Sequence, residues 1–183
     1  AYDLDGAELG RRVEEAVSVG ATEVCLQGGI HPDYTGQTYL DIVRTVKEAA
    51  PDVHVHAFSP LEIDHGATTL GLSLKQYLKL LKEAGLDSLP GTAAEVLDER
   101  VRAILCPDKV SAHRWLEIME CAHEVGLFST ATIMFGHVDS PSAWVTHWQR
   151  IIELQKRTGG FSEVVPLPFV SEGAPIYRHG EAR

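Results

Sequence analysis

The amino-acid sequence predicts an incomplete (β/α) TIM-type barrel, an α/β fold formed by a single domain over residues 1–183. Predicted helices and strands alternate along the chain, which is typical of parallel strands joined by helical crossovers. No G-x-G-x-x-G motif follows a predicted strand, which argues against a dinucleotide-binding sheet. A complete eight-stranded barrel needs about 250 residues. We therefore expect a barrel truncated at both ends, covering about strands two to six.

Five segments are predicted as helices. In the first, Val13 and Val17 lie on one face and charged residues on the other. Ser73 is expected to cap the third helix, which Gly85 follows, and Pro51 is expected to stop the second. The helices are predicted over residues 6–20, 37–50, 73–85, 111–126 and 142–160.

Five apolar or β-rich segments are predicted as strands. The first, TEVCLQG, has the composition of a buried strand, and the third is short and ends in a turn at Pro90 and Gly91. The strands are predicted over residues 22–28, 52–59, 86–91, 127–136 and 162–170.

The composition is acidic, with 16 Lys and Arg against 26 Asp and Glu and a net charge of -10. Such a surface repels phosphate backbones, so we do not expect nucleic-acid binding through a basic field. No apolar run reaches the roughly 18 residues of a membrane span. The three cysteines, Cys25, Cys106 and Cys121, are widely spaced, which predicts no disulfide framework and a cytoplasmic location.

Turn-forming and polar residues cluster where the predicted strands end, in QGGIHPD, FSPLE, LPGTAAE, MFGHVD and PLPFV. In a parallel barrel the chemistry is located at the carboxyl ends of the strands. We therefore expect these turns to converge on one pocket for a small-molecule ligand.

The first of these turns carries Gln27, Gly28 and Gly29. Glycine lets a ligand approach the main chain closely and frees amide groups to bind a carboxylate or phosphate. We expect QGG to bind the polar end of an amino-acid-like ligand, and His31 and Asp33 to bind it or move protons. The alternative is structural: a tight turn after the strand, fixed by an Asx hydrogen bond from Asp33.

The second strand carries His54 and His56, which share a face because they are two residues apart. Such a pair is able to hold a divalent metal, with His137 as a further ligand, although histidines satisfied within a barrel are the favoured interpretation. Glu62 follows this strand. Its carboxylate is either a partner for a ligand amine or a first-turn helix residue favoured by the helix dipole.

Two later turns supply further candidates. Thr92 and Glu95 have the spacing of a capping box for a following helix, and the alternative is that they face a ribose. Gly136 and His137 lie beyond the fourth strand. Met134, within that strand, is expected to belong to the core on its sequence context alone.

Six segments occur together in an order and spacing that resemble a known family. They are EVCLQGGIHPD, HVHAFSPLE, SLPGTAAEVLDE, CPDKV, STATIMFGHVD and TGGFSEVVPLPFV. The set closely resembles the radical S-adenosylmethionine (SAM) enzymes of deazaflavin synthesis, specifically the tyrosine-using half of FO synthase, over residues 2–177. The alternative family is that of aminofutalosine synthase and the futalosine cyclase, which act in menaquinone synthesis.

The resemblance implies a transferase that joins the 4-hydroxybenzyl group of L-tyrosine to 5-amino-6-(D-ribitylamino)uracil in deazaflavin (FO) synthesis. It implies SAM and a [4Fe–4S] cluster as cofactors, the cluster being held by a CxxxCxxC motif. It also implies the other half of FO synthase, fused or separate, as a partner, and no membrane or nucleic acid.

The resemblance further implies roles for residues at the strand ends. QGG would lie against the methionine end of SAM, and the later turns near its adenosine. The cofactor-binding candidates are Gln27, Gly28, Gly29, Thr92, Glu95, Met134 and Gly136. The candidates for contacts to tyrosine or the pyrimidine, which we take as catalytic, are His31, Asp33, Glu62 and His137.

The sequence departs from the family in one respect, because CxxxCxxC is absent. The three cysteines do not replace it, so we expect these 183 residues alone to hold no cluster and to perform no radical chemistry. Two hypotheses of other classes stand beside this one. They are a metal-dependent barrel hydrolase that uses His54 and His56, and a non-catalytic module for binding or assembly.

Overall fold

The computed structural model describes residues 4–172, 174 and 176. The chain divides into two compact units, Ala1–Pro90 (unit 1) and Gly91–Arg183 (unit 2). The expectation that all 183 residues form one domain stays a prediction. Among the described helices, none has the length and apolar character needed to cross a lipid bilayer.

The described part of unit 1 has three parallel strands and four helices. The strands, in sheet order, are β1 (Glu23–Leu26), β2 (His54–Ala57) and β3 (Ser88–Leu89). The helices are α1 (Gly6–Ser18), α2 (Gly36–Ala49), α3 (Pro60–Thr69) and α4 (Leu74–Ala84). Val55, Ala57 and Leu89 are fully buried on one face of this sheet. The alternate residues of the strands are polar and lie on the other face.

The described part of unit 2 has two parallel strands and three helices. The strands are β4 (Phe128–Phe135) and β5 (Phe161–Pro168), paired with an irregularity between Ser129 and Thr130. The helices are α5 (Glu99–Leu105), α6 (Ala112–Glu124) and α7 (Pro141–Thr158). Trp115 of α6 stacks on Phe161 of β5 with ring centroids 6.2 Å apart, in the centre of the unit's apolar core.

All ten predicted elements are present; nine are shorter than expected, and α2 keeps its expected length with both ends one residue earlier. Ser73 caps its helix through a hydrogen bond from the Gln76 amide, and Gly85 ends it with a φ of +114°. The third strand has two residues instead of six. The helices α3 and α5 were not among the five predicted, although Glu62 does lie in the first turn of a helix, α3, which was one of its two alternatives.

The segment that forms α3 has little intrinsic preference for a helix, because it contains Gly66 and two threonines. Its beginning is defined locally, by Pro60 in the first turn and by a capping box between Ser59 and Glu62. Its position is defined by packing. Gly66 lies so close to α4 that an added Cβ would stand 2.4 Å from Tyr77 Oη.

The predicted capping box of Thr92 and Glu95 is wrong. Asp98 caps α5, accepting a hydrogen bond from the Arg100 amide. Residues 92–97 form turns in which Ala93 and Glu95 have positive φ angles of 61° and 48°. A capping box needs a helix that begins directly after its first residue, and no helix begins after Thr92 until Glu99.

Candidate functional site

A cavity of about 360 Å³ lies in unit 1, where β1 and β2 end. It combines apolar walls with a few polar groups, which is typical of small-molecule sites. Four candidates from the sequence line it, namely Gln27, Gly28, His31 and Glu62. The other lining residues are Leu4, Leu9, Leu26, Ile30, Tyr34, Tyr39, Ile42 and Phe58.

Glu62 is the buried carboxylate of this cavity, with only 1% of its surface exposed. Its Oε1 accepts a hydrogen bond from the Gly28 amide at 2.9 Å. Its Oε2 accepts hydrogen bonds from the Ser59 amide at 2.8 Å and the Ser59 hydroxyl at 2.7 Å. The carboxylate therefore ties the turn after β1 to the turn after β2. It also takes up the Gly28 amide, which we had expected to be available to a ligand anion.

Aromatic rings form one wall of the cavity. Tyr39 makes edge-to-face contacts with Phe58 and Tyr34, at centroid distances of 4.9 Å and 6.0 Å. Burial and the nearby Glu62 carboxylate raise the pKa of Tyr39 above its ordinary value, so this phenol stays protonated. Phe58 has a φ of +62°. This backbone conformation is strained for a bulky residue, and strained residues are concentrated at ligand sites.

His31 and Asp33 occupy different positions relative to the cavity. The His31 side chain lines it, and its ring lies 4.9 Å from the ring of Tyr34. The Asp33 side chain is 92% exposed. Asp33 reaches His31 through its backbone, whose amide donates a hydrogen bond to His31 Nδ1 at 3.2 Å, and through its Oδ2, which lies 3.9 Å from the same nitrogen. The structure thus brings His31 to the cavity and leaves the Asp33 carboxylate in solvent.

The turn after β4 in unit 2 is closed by its own side chains. Asp139 accepts hydrogen bonds from the amides of Gly136, at 3.0 Å, and His137, at 2.7 Å, and from Trp144 Nε1. Burial acts to raise the pKa of Asp139, but these hydrogen bonds outweigh it and hold the pKa below its ordinary value. Gly136 has a φ of +91°, which glycine adopts without strain.

His137 is 2% exposed and uses both ring nitrogens within this turn. Nδ1 accepts a hydrogen bond from the Val138 amide at 2.8 Å, so Nε2 carries the proton and donates to the Met134 carbonyl at 2.9 Å. His137 therefore holds the turn in place. Met134 is half-buried, between core and surface.

The segment 91–98 of unit 2 is held by contacts from several elements. Gly91 lies against β4, where Thr130 Oγ1 accepts its amide at 2.8 Å and Thr132 Oγ1 donates to its carbonyl at 2.6 Å. The Met134 amide donates to the Glu95 carbonyl at 2.8 Å. The Thr92 hydroxyl is buried and has no hydrogen-bond partner in the described part of the chain.

Two basic residues that the sequence analysis missed also hold this segment. Arg102 is 3% exposed and donates to the carbonyls of Ala94, at 2.5 Å, and Val110. Lys109 forms an ion pair with Glu95 at 2.6 Å. The signal was present in the sequence, because Arg102 follows the strand-end motif by a few residues. The sequence did not show its role, because the role depends on Arg102 lying on the helix α5.

The residues present do not fit a [4Fe–4S] cluster, which takes cysteine thiolates as ligands. Cys25 is exposed on β1, Cys106 is buried just after α5 and Cys121 lies on α6. Among the described residues, no group of three or more His, Cys, Asp and Glu is placed to hold a metal ion.

The residues that line the unit 1 cavity suit only the amino-acid end of SAM. The cavity supplies a buried carboxylate for an ammonium group and the Gln27 amide for a carboxylate, beside an apolar wall.

Comparison with known proteins identifies the family. The sequence model of the Radical SAM superfamily matches residues 1–148. The chain belongs to the radical SAM superfamily. The crystal structure of methylornithine synthase (PylB) superposes on this chain with a TM-score of 0.73 and 18% sequence identity. The superposition covers 96% of this chain and 48% of that chain. The predicted parallel α/β fold of the radical SAM type is therefore confirmed.

Within the superfamily, the chain is similar to enzymes of deazaflavin synthesis. It is 53% identical over 183 residues to the FO synthase of Streptomyces coelicolor. It is 50% identical over 183 residues to the 5-amino-6-(D-ribitylamino)uracil–L-tyrosine 4-hydroxyphenyl transferase of Methanopyrus kandleri. All of this chain is covered, but only 21% and 50% of these relatives. The resemblance seen in the sequence is thus confirmed.

Proposed function

We propose that this radical SAM chain is part of an enzyme that transfers the 4-hydroxybenzyl group of L-tyrosine to 5-amino-6-(D-ribitylamino)uracil. The observation that carries the proposal is the identity of 50% or more along all 183 residues to relatives named for this synthesis. Because the chain spans half or less of those relatives, the activity is proposed for the whole polypeptide. The other half of FO synthase is its proposed partner, and the reducing cytoplasm its proposed location.

The unit 1 cavity is proposed to bind the amino-acid part of a ligand. Glu62 is buried and already oriented by three donors, and its oxygens keep capacity for a further hydrogen bond. A ligand ammonium supplies the positive charge that a buried carboxylate needs. Gln27 is placed to meet the ligand carboxylate, while His31 and the rings of Tyr34 and Phe58 suit the remainder.

Both SAM and L-tyrosine carry an ammonium and a carboxylate on one carbon, so either fits this chemistry. The main chain of Gly28 and Gly29 is proposed to contribute carbonyl groups, because the Gly28 amide is taken by Glu62. Asp33 is proposed to act on the ligand only through His31.

Taken by itself, unit 2 is proposed to offer contacts for an adenosine at its strand-end segments. The half-buried main chain at Met134 and the turn at Gly136 would contact the base. Thr92 and Glu95 would face the ribose, and the buried, unpartnered Thr92 hydroxyl supports this role. His137 is proposed to position this turn.

The function is tested with the whole native polypeptide that carries these 183 residues, under anaerobic conditions with SAM. Mass spectrometry should detect the hydroxybenzyl–uracil adduct only when both L-tyrosine and the aminouracil are present. Glu62→Gln should reduce its formation at least about tenfold, since a charged hydrogen-bonded contact is worth about 1.5–3 kcal/mol. Glu48→Gln, an exposed carboxylate on α2, is the matched control.

Failure to form the adduct from these two substrates, with turnover of menaquinone-pathway substrates instead, would assign the chain to the alternative family. Calorimetric titration of the chain with SAM and L-tyrosine separately identifies the occupant of the cavity. The true occupant should bind the native chain and lose affinity in Glu62→Gln. If SAM and L-tyrosine each bind Glu62→Gln as tightly as they bind the native chain, Glu62 is not part of the site.

A further inference from the structure

Two histidines and a serine form a connected group on the polar face of the unit 1 sheet. The register pairs Glu23 with His54 and Cys25 with His56, and His56 with Ser88 on the next strand. Registered residues of parallel strands project to the same face. The group therefore lies opposite the apolar face that the helices cover.

The Ser88 hydroxyl joins the two imidazoles. Its Oγ lies 2.7 Å from His54 Nε2 and 2.7 Å from His56 Nδ1. A hydroxyl has one proton, so it donates to one imidazole nitrogen while its oxygen accepts the N–H of the other. Because the contacts use Nε2 of His54 and Nδ1 of His56, the two neutral rings are thereby restricted to the same tautomer, both Nδ1–H or both Nε2–H. A change of protonation at one ring must change the hydrogen bond at the other.

The group has a direction along the strands. His56 is two residues closer than His54 to the end of β2, and it is in register with Cys25, whose sulfur accepts a hydrogen bond from Gln27 Nε2 at 3.5 Å. At the other end, Glu23 Oε2 lies 3.8 Å from His54 Nε2. A carboxylate therefore lies beside the ring at this end of the group.

We propose that His54, Ser88 and His56 form a proton relay that carries a proton away from the strand ends of unit 1. His56 takes up a proton at its second ring nitrogen and passes the Nδ1 proton to Ser88 Oγ, whose own proton moves to His54 Nε2. One positive charge moves from His56 to His54, no covalent bond between heavy atoms changes, and the Glu23 carboxylate stabilises the product.

This group differs from the contacts that His123 of unit 2 makes with hydroxyl groups. His123 in unit 2 contacts two hydroxyls, Thr158 at 2.7 Å and Ser129 at 2.8 Å, and burial lowers its pKa to about 4. That ring stays neutral and holds structure together. The unit 1 group instead places one hydroxyl between two rings that are partly exposed. Imidazole is the side chain whose charge ordinarily changes between about pH 5 and 8.

Other charged groups near the relay belong to the sheet and to α2. Asp87, the residue before Ser88, accepts a hydrogen bond from the Val55 amide and forms an ion pair with Lys47 at 2.8 Å. Asp87 is therefore paired with Lys47, and its carboxylate also interacts electrostatically with His54. The inference rests on this sheet geometry and not on the proposed function.

The test is imidazole nitrogen NMR of the 183-residue chain between about pH 5 and 8. His54 and His56 should show the same tautomer, and the nitrogen signals of the two rings should change together, not independently, as the pH is varied. Ser88→Ala should make the two titrations independent, and Ser88→Thr, which keeps the hydroxyl, should preserve the coupling. His113, exposed on α6, should titrate alike in all variants.

A second variant keeps the test decisive if Ser88→Ala fails to fold. Glu23 has a side chain 54% exposed and its Oε2 lies 3.8 Å from His54 Nε2, so we expect Glu23→Gln to leave the sheet intact. In a relay, this substitution must change the titrations of both histidines. A change confined to His54, or unchanged curves in Ser88→Ala, would overturn the proposal.

Discussion

At the scale of single residues, the chain's own carboxylates hold the amides where its strands end. Glu62 accepts the Gly28 amide, and Asp139 accepts the amides of Gly136 and His137. The sequence predicted that glycine-rich turns would offer such amides to a ligand. It did not reveal that Glu62, 34 residues further along, already occupies one of them, because a contact at that separation depends on how α3 packs.

Asp139→Asn should destabilise unit 2. An amide side chain has one acceptor oxygen and no charge, so it cannot replace the hydrogen bonds that Asp139 accepts from two amides and Trp144. The expected loss is about 1–3 kcal/mol in the free energy of unfolding, measured by urea denaturation at pH 7. Asp33→Asn, at a carboxylate 92% exposed, should leave the midpoint nearly unchanged.

The same aspartate predicts a pH dependence. Its folded-state pKa is lowered, so its contribution is fully present above the ordinary pKa of a carboxyl group and is lost as pH falls through the lower folded-state value. The native chain should lose more stability than Asp139→Asn on going from pH 5 to pH 3. Parallel acid-unfolding curves for the two proteins would contradict this account.

At the scale of elements, local sequence signals predicted helices and strands well, and packing decided the rest. The capping serine at Ser73 and the glycine after its helix were found from the sequence because their signals are local. The helix α3 was missed because Gly66 weakens its propensity, yet Gly66 is required by the close approach of Tyr77. The left-handed turns at Ala93 and Glu95 carry no sequence signal, since neither residue favours a positive φ.

Gly66→Ala tests that packing. A Cβ there would stand 2.4 Å from Tyr77 Oη, so the ring must shift and weaken its 3.0 Å hydrogen bond to the Gly36 carbonyl. We expect a loss of about 1–3 kcal/mol in urea denaturation. Gly10→Ala is the matched control in α1, where the nearest atoms are at 3.8 Å and 3.9 Å. It should stabilise the chain by up to about 1 kcal/mol through helix propensity, and destabilisation of both variants alike would refute the steric explanation.

The contact of α7 with the segment 91–98 predicts a second pH effect. His147 is fully buried and accepts the Leu97 amide at Nδ1, at 3.0 Å. Burial, followed by the charges of Arg102 and Arg150, lowers its pKa to about 4. Because the unfolded state binds the proton first, stability is full above about pH 6.5 and falls as the pH decreases towards 4.

The expected loss from His147 is about 2 kcal/mol between pH 7 and pH 5, measured as the change in free energy of unfolding. His147→Asn places an amide oxygen near the position of Nδ1 and does not titrate. It should therefore show a flatter pH dependence than the native chain over this range, whatever its stability at pH 7. An equally steep decline in both proteins would assign the effect to other groups.

At the scale of the whole molecule, the family is recognised from six segments distributed along the chain, while single residues of those segments have mixed roles. Gln27, His31 and Glu62 meet at one cavity in unit 1, and His137 is engaged within its own turn in unit 2. Order and spacing are inherited with the fold, so they identify the superfamily. The role of a side chain depends on its hydrogen-bond partners, which only coordinates reveal.

The three cysteines permit a last prediction for the chain as a whole. A cluster needs several thiolates close together, and no such group occurs among the described residues. Anaerobic incubation of the 183-residue chain with iron and sulfide, followed by desalting, should leave no bound iron and no visible absorbance of an iron–sulfur cluster. Replacing Cys25, Cys106 and Cys121 with serine should change neither result. Stable iron binding that these replacements abolish would show that the cysteines come together in a way the structure does not contain, and that the chain holds a cluster by itself.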